Sequence, residues 1–114
     1  MCGIAGQLNT DNSPVSPVIL KRMTDVITHR GPDGEGHWIE GNIGLGHRRL
    51  AIIDLSPAGH QPMVSSESRF VLTYNGEIYN FRELRTELEA KGYHFHSKTD
   101  SEVVLYALCE WREK

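Results

Sequence analysis

The chain has 114 residues, 39% hydrophobic and 24% charged, with a net charge of −3 at pH 7; that balance suits one small soluble domain with an apolar core and excludes a disordered polyelectrolyte. The acidic balance leaves no basic stripe to neutralise phosphates, so no nucleic-acid partner is expected. No stretch approaches the roughly 20 apolar residues of a membrane span, and the start lacks the basic and long apolar regions of a signal peptide. The two cysteines, Cys2 and Cys109, do not look like a disulfide framework, so a reducing, cytoplasmic location is expected.

Cys2 to Leu8 reads as a strand that ends in the loop Asn9-Thr10-Asp11-Asn12-Ser13-Pro14. Ser16 before Pro17 is an N-cap followed by proline at the first helical position. Ile19, Leu20, Met23, Val26 and Ile27 recur at helical spacing, and the helix is predicted to end near His29, before Arg30-Gly31-Pro32-Asp33-Gly34. Gly36 to Glu40 and Ile43 to Leu50 read as strands around a tight turn at Gly41-Asn42, with Ala51-Ile52-Ile53 extending the second. A loop follows from Asp54 to Gly59, and His60-Gln61-Pro62-Met63 leads to a polar tip at Ser65-Ser66-Glu67-Ser68. Arg69 to Tyr74 reads as a buried strand running into Asn75-Gly76-Glu77. Asn80 with Glu83 suggests a capping box for a second helix, stopped by Gly92. Tyr93 to Ser97 suggests a further strand. Thr99-Asp100-Ser101-Glu102 reads as a second capping box that opens a last helix, lined by Val104, Ala107, Leu108 and Trp111, whose pattern still runs at Lys114.

Five polar features stand out. If Met1 is cleaved, which the small residue after it permits, Cys2 carries a thiol and a free α-amine together. The thiol is a nucleophile and the amine can take its proton; the bland alternative is a small apolar residue in a buried strand. His29-Arg30-Gly31-Pro32-Asp33-Gly34 could form a rigid loop around a site, though by itself it reads better as a turn with an Arg30–Asp33 ion pair. In His47-Arg48-Arg49-Leu50 the two arginines face opposite sides of a strand. Either one of them lies inward and needs an anion such as a carboxylate, or both run outward from an edge. Asn75 and the Gly76 N–H could form an oxyanion hole, with Glu77 offering a charge for an ammonium group; the alternative is a hairpin turn. Asp100, in the first turn of a helix that stabilises its ionised form, could bind an amine or could simply serve the cap. No metal site is expected: His94 and His96 have suitable spacing but lack a second ligand pair. Gly44-Leu45-Gly46 has Arg49 where a dinucleotide fingerprint needs its third glycine.

Together these clusters resemble the class II glutamine amidotransferases, whose nucleophile is an N-terminal cysteine. The matching residues, in the family's order, are Cys2-Gly3-Ile4, His29-Arg30-Gly31-Pro32-Asp33, Arg49-Leu50, Asn75-Gly76-Glu77 and Thr99-Asp100-Ser101-Glu102. The stretches His47 to Leu55 and Asn75 to Asn80 look like the glutaminase domain of glutamine-hydrolysing asparagine synthetases. Glu77 speaks against the sugar-phosphate branch of the class.

The resemblance implies an α+β fold of Ntn-hydrolase type, a four-layer αββα sandwich with antiparallel sheets, cut short at its C-terminal side and mature from Cys2. Over residues 1–114 it implies a partial glutaminase domain, with the ATP-dependent synthetase domain absent. It implies that Cys2 attacks the side-chain amide of L-glutamine, with its own α-amine as base, and that Asn75 and Gly76 hold the oxyanion. Arg49 would bind the substrate carboxylate, Glu77 and Asp100 its ammonium, and backbone groups near Ile52 and Ile53 would line the pocket. No cofactor is implied for this domain; ATP and Mg2+ belong to the synthetase domain, where ammonia would convert aspartate to asparagine, and a homodimer fits the same resemblance. The other readings are a non-catalytic fragment or interaction module, and an amidotransferase serving a different carboxylate.

Overall fold

A two-residue turn sets the register of the first half of the chain. In the computed structural model, which describes residues 2–51 and 56–112, Gly41 in that turn has φ +55°, a conformation that costs glycine little. Strand β2 (Gly34–Glu40) folds back on β3 (Ile43–Arg49), placing Glu40 opposite Ile43 and Glu35 opposite Arg48. Strand β1 (Gly3–Leu8) pairs antiparallel with the other edge of β3, so β3 is central in a sheet of order β1-β3-β2.

Helix α1 (Pro17–Asp25) covers one face of that sheet. Ser16 caps it as expected, its Oγ accepting the Ile19 N–H at 3.4 Å. Close approach depends on two glycines of β3: a Cβ at Gly44 would lie 2.9 Å from Val15 Cγ1, and one at Gly46 would lie 2.6 Å from Thr24 Cγ2. Leu20, completely buried, sits over both; a leucine so placed contributes about 1.5–3 kcal/mol. The helix stops at Asp25, four residues short of the expected His29. The Val26 N–H closes it on Arg22 O and Thr24 O, and Thr28–Arg30 tighten into a 3-10 turn. That turn carries Arg30 and Gly31 back to the sheet.

The described residues fall into two compact units. One holds residues 2–51, 60–62 and 73–75; the other holds 56–59, 63–72 and 76–112. The second contains a short hairpin of β4 (Met63–Val64) and β5 (Val71–Leu72), with helices α2 (Phe81–Ala90) and α3 (Asp100–Trp111). Its core is Leu88, Val103, Leu105 and Tyr106, with Met63, Phe70, Leu72 and Phe95 packed against them. The fold class is therefore α+β, with two small antiparallel sheets and flanking helices, as expected. Among the described residues no helix is long and apolar enough to cross a membrane.

Three local expectations are corrected. Strand β5 spans two residues rather than Arg69 to Tyr74, because β4 offers only Met63 and Val64 as partners; Ser65 Oγ takes the Arg69 and Phe70 N–H groups instead. Tyr93 to Ser97 is not a strand: Glu102 accepts the His96 and Ser97 N–H groups and the Tyr106 hydroxyl donates to His94 O, so side chains replace a ladder. Asn80 stands at the N-cap of α2 without a side-chain bond, since its backbone (φ −97°, ψ 27°) departs from the extended form that aims a cap. Ile52 and Ile53, expected to extend β3, lie outside the described residues.

Candidate active site

Cys2 immediately precedes β1, and the end of β3 receives its sulfur. The Leu50 N–H donates to Sγ at 3.3 Å, and Sγ lies 3.7 Å from Leu50 O. Arg30 Nε donates to the Cys2 carbonyl at 3.2 Å. The loop that carries Arg30 is itself tied to β3. Gly31 packs so closely on the Arg48–Arg49 backbone that a Cβ would collide with it. The Asp33 N–H donates to Arg49 O (2.9 Å), and Asp33 Oδ2 accepts the Ala51 N–H (2.9 Å). The expected Arg30–Asp33 pairing is thus replaced by separate side-chain bonds to backbone, Arg30 to the Cys2 carbonyl and Asp33 to the Ala51 N–H. The rigid-loop reading describes this cluster better than an isolated turn.

The two arginines separate as strand alternation requires. Arg48 points inward, 9% exposed, and its anion is internal: Nη1 donates to Glu35 Oε2 at 2.7 Å, while Nε donates to Gly31 O at 3.0 Å. Lys21 reaches the same Glu35 oxygen at 3.0 Å. Its hydrogen bond, chiefly, holds the Glu35 carboxyl below the usual range; burial opposes, and Arg48 adds to the lowering. Arg49, half-buried, alternates to the other side of β3, away from the Arg48–Glu35 pair. Glu35 was legible in principle, since counting back from the Gly41-Asn42 turn pairs it with Arg48.

Asn75 is half-buried at the end of a stretch held by side chains. Thr73 Oγ1 donates to Gly46 O (3.1 Å), the Tyr74 N–H to Gln61 Oε1 (2.6 Å), and His47 Nε2 meets Tyr74 O at 3.2 Å. Burial pushes the His47 imidazole below the ordinary range; the Tyr74 carbonyl opposes, and the charges of His60 and Arg49 push the same way as burial. In the second unit Gly76 and Glu77 are exposed, and the Ile78 N–H donates to Asp100 Oδ2 at 3.2 Å. That bond ties the chain just beyond Glu77 to the start of α3, whose cap is Thr99: its Oγ1 accepts the Glu102 N–H at 3.4 Å. Asp100 is therefore not needed as the cap. Cys2, Arg49 and Asn75 belong to the first unit, and Gly76, Glu77 and Asp100 to the second; Ile52 and Ile53 are outside the described residues. Among the described residues no group of three or more His, Cys, Asp or Glu side chains could hold a metal.

The family profile described as "Glutamine amidotransferase domain" matches residues 1–114, the whole chain. The chain belongs to the glutamine amidotransferase domain family. Within it, this amidotransferase domain is homologous to part of the glutamine-hydrolysing asparagine synthetases. It is 40% identical over 119 residues to asparagine synthetase (glutamine-hydrolyzing) 1 of Bacillus subtilis, covering 100% of this chain and 18% of that protein. It is 38% identical over 112 residues to asparagine synthetase (glutamine-hydrolyzing) 1 of Arabidopsis thaliana, covering 97% and 19%. It is also 37% identical over 117 residues to Amidase chry2 of Gibberella zeae, covering 92% and 17%. The chain thus spans less than a fifth of the length of each of these relatives.

In this amidotransferase domain the second cysteine is poorly suited to be a nucleophile. Cys109 is buried in α3, and burial, aided by Glu67, pushes its thiol up, away from the reactive thiolate. Sequence reasoning did not single out Leu50 as the contact of Cys2, nor Gln61 and Thr73 as supports of Tyr74. Leu50 acts through its backbone and Gln61 through a fold-dependent approach, so neither leaves a pattern in one sequence.

Proposed function

We propose that this amidotransferase domain hydrolyses L-glutamine to glutamate and ammonia through a thioester on Cys2. The observation that carries the reading is the seat of the sulfur: a backbone N–H is aimed at it, its residue's carbonyl is held by Arg30, and the residue it touches follows Arg49 directly. The Cys2 thiol would pass its proton to the α-amine, freed by loss of Met1, and attack the amide carbon of glutamine. The new S–C bond places negative charge on the amide oxygen, where the Asn75 amide and the Gly76 N–H would stabilise it. The C–N bond then breaks, the amine returns the proton, and ammonia leaves. Water adds to the thioester, the S–C bond breaks, and glutamate departs with the thiol restored. Arg49 would hold the substrate carboxylate by a two-pronged contact suited to guanidinium, and Glu77 and Asp100 its ammonium; Ile52 and Ile53 are further proposed members of the site.

The ammonia would serve ATP-dependent amide formation in a larger protein, with aspartate as the acceptor; asparagine synthesis is what most of the similar proteins' names give. A second reading keeps the glutaminase step and changes the acceptor, as the 37% identity to an amidase allows. Glutamate release from glutamine by the intact protein tests the first step. Cys2→Ser should lower it on the order of 10³-fold or more; release at the original rate would end the reading. Acceptor choice is tested by supplying aspartate or other carboxylates with ATP and identifying the amide formed.

A further inference from the structure

Thr73, Tyr74 and Asn75 follow β5 but lie in no strand. Both backbone polar groups of Tyr74 are taken by side chains instead, the N–H by Gln61 Oε1 at 2.6 Å and the carbonyl by His47 Nε2 at 3.2 Å. Thr73 Oγ1 adds a third tie, to Gly46 O. Both gripping side chains are themselves rigidly seated. His47, 1% exposed, stands on central strand β3, and Gln61 is 5% exposed. Opposite His47 in the sheet is Gly36, where a Cβ would collide with the Gln61 carbonyl oxygen. A glycine at that register position lets the Gln61 backbone settle against β2.

We infer that His47 and Gln61 are positioning residues that aim Asn75 for oxyanion binding, an inference that rests on the glutaminase reading above. The physical link is the planar peptide bond. Tyr74 C=O and Asn75 N–H belong to one rigid plane, so a donor on the Tyr74 oxygen sets the orientation of that plane and the direction in which Asn75 leaves it. A bond to the Tyr74 N–H restrains the preceding plane, and together the two limit rotation about Tyr74. The carbonyl accepts and cannot donate, so the facing His47 nitrogen carries a proton, and Nε2 is the donor. Nδ1 is buried without a hydrogen-bond partner among the described residues. A side chain serving only to fill space would not require a donor at one ring atom and an acceptor on Gln61. Asn75 would bind the charge that develops in the transition state, so its aim bears on the chemical step more than on substrate binding.

The experiment is steady-state glutamine hydrolysis by the intact protein carrying His47→Leu, His47→Gln or Gln61→Met. His47→Leu keeps bulk and removes the donor; it should lower kcat on the order of 10²-fold while KM for glutamine stays within about threefold. His47→Gln restores an N–H at similar reach and should recover most of the loss. Gln61→Met should show the same kcat-weighted loss, and it decides the matter if His47→Leu does not fold. The rate of Cys2 alkylation by iodoacetamide should match the original protein in each folded variant. Unchanged kcat in His47→Leu and Gln61→Met overturns the inference, as does an equal rise in KM and slowing of alkylation. If Cys2→Ser leaves hydrolysis intact, the glutaminase reading itself falls; if Cys2→Ser is inactive and the two clamp variants are normal, only the present inference does.

Discussion

Glu35 is what makes a buried guanidinium tolerable on β3. Arg48 finds one carboxylate oxygen and one backbone carbonyl, and both partners come from the turn-and-strand segment that faces it. Glu35→Gln should destabilise the first unit by about 1–2 kcal/mol, less than for a fully buried pair because Glu35 is one-third exposed; the shift in urea midpoint measures it. Its carboxyl is held low, so the ion pair is present above the ordinary carboxylate range and lost as pH falls through the depressed value. His47 behaves in the opposite chemical sense with the same slope. Its folded form resists protonation, whereas the unfolded chain takes a proton near pH 6.5. Below that pH the unfolded state binds more protons, so stability falls as pH drops toward the folded value. Urea titrations between about pH 7 and pH 5 should show a shallower loss in His47→Gln than in the original protein. The arginine pair was legible from strand alternation, but which of the two lay inward depended on which face α1 covered.

At the scale of elements, two similar capping signals had different outcomes. Thr99 has extended backbone (φ −80°, ψ 151°) and accepts the Glu102 N–H; Asn80 does not have that geometry and makes no side-chain cap. Thr99→Ala should therefore cost about 1 kcal/mol and Asn80→Ala under about 0.5 kcal/mol, as read from thermal or urea unfolding. Glu102 does not complete a capping box. Its carboxylate turns to the His96 and Ser97 N–H groups and the Ser97 hydroxyl, and this is what holds residues 93–97 without a strand partner. Alternating aromatic and histidine residues predicted a strand there because period two is the only signal a sequence shows; competition from a carboxylate six residues away is invisible to it. The packing of α1 is a sharper case. Gly46→Ala would place a Cβ against Thr24 and should destabilise by about 1–3 kcal/mol, despite alanine being the better strand or helix residue in the abstract.

For the whole molecule, the proposed glutaminase step predicts that one of two cysteines is reactive. A glutamine-like electrophile should label Cys2 once and leave Cys109 unmodified, as intact mass and peptide mapping would show. An N-terminal extension that retains Met1 should abolish that labelling, because the α-amine is then an amide and cannot take the thiol proton.

Sequence alone determined the family, the α+β class, the three helix starts and the register-setting turn, since these rest on residue identity, short-range backbone preference and motif order. It also named Cys2, Arg49, Asn75, Gly76, Glu77 and Asp100 as candidates. Tertiary structure decided that Leu50 meets the sulfur, that Arg48 rather than Arg49 turns inward to Glu35, and that His47 and Gln61 grip Tyr74. Those are contacts between residues 13 to 48 positions apart. The Glu35–Arg48 register follows from the Gly41-Asn42 turn, whereas the other contacts need the close approaches at Gly31 and Gly36, which no local pattern along the chain encodes.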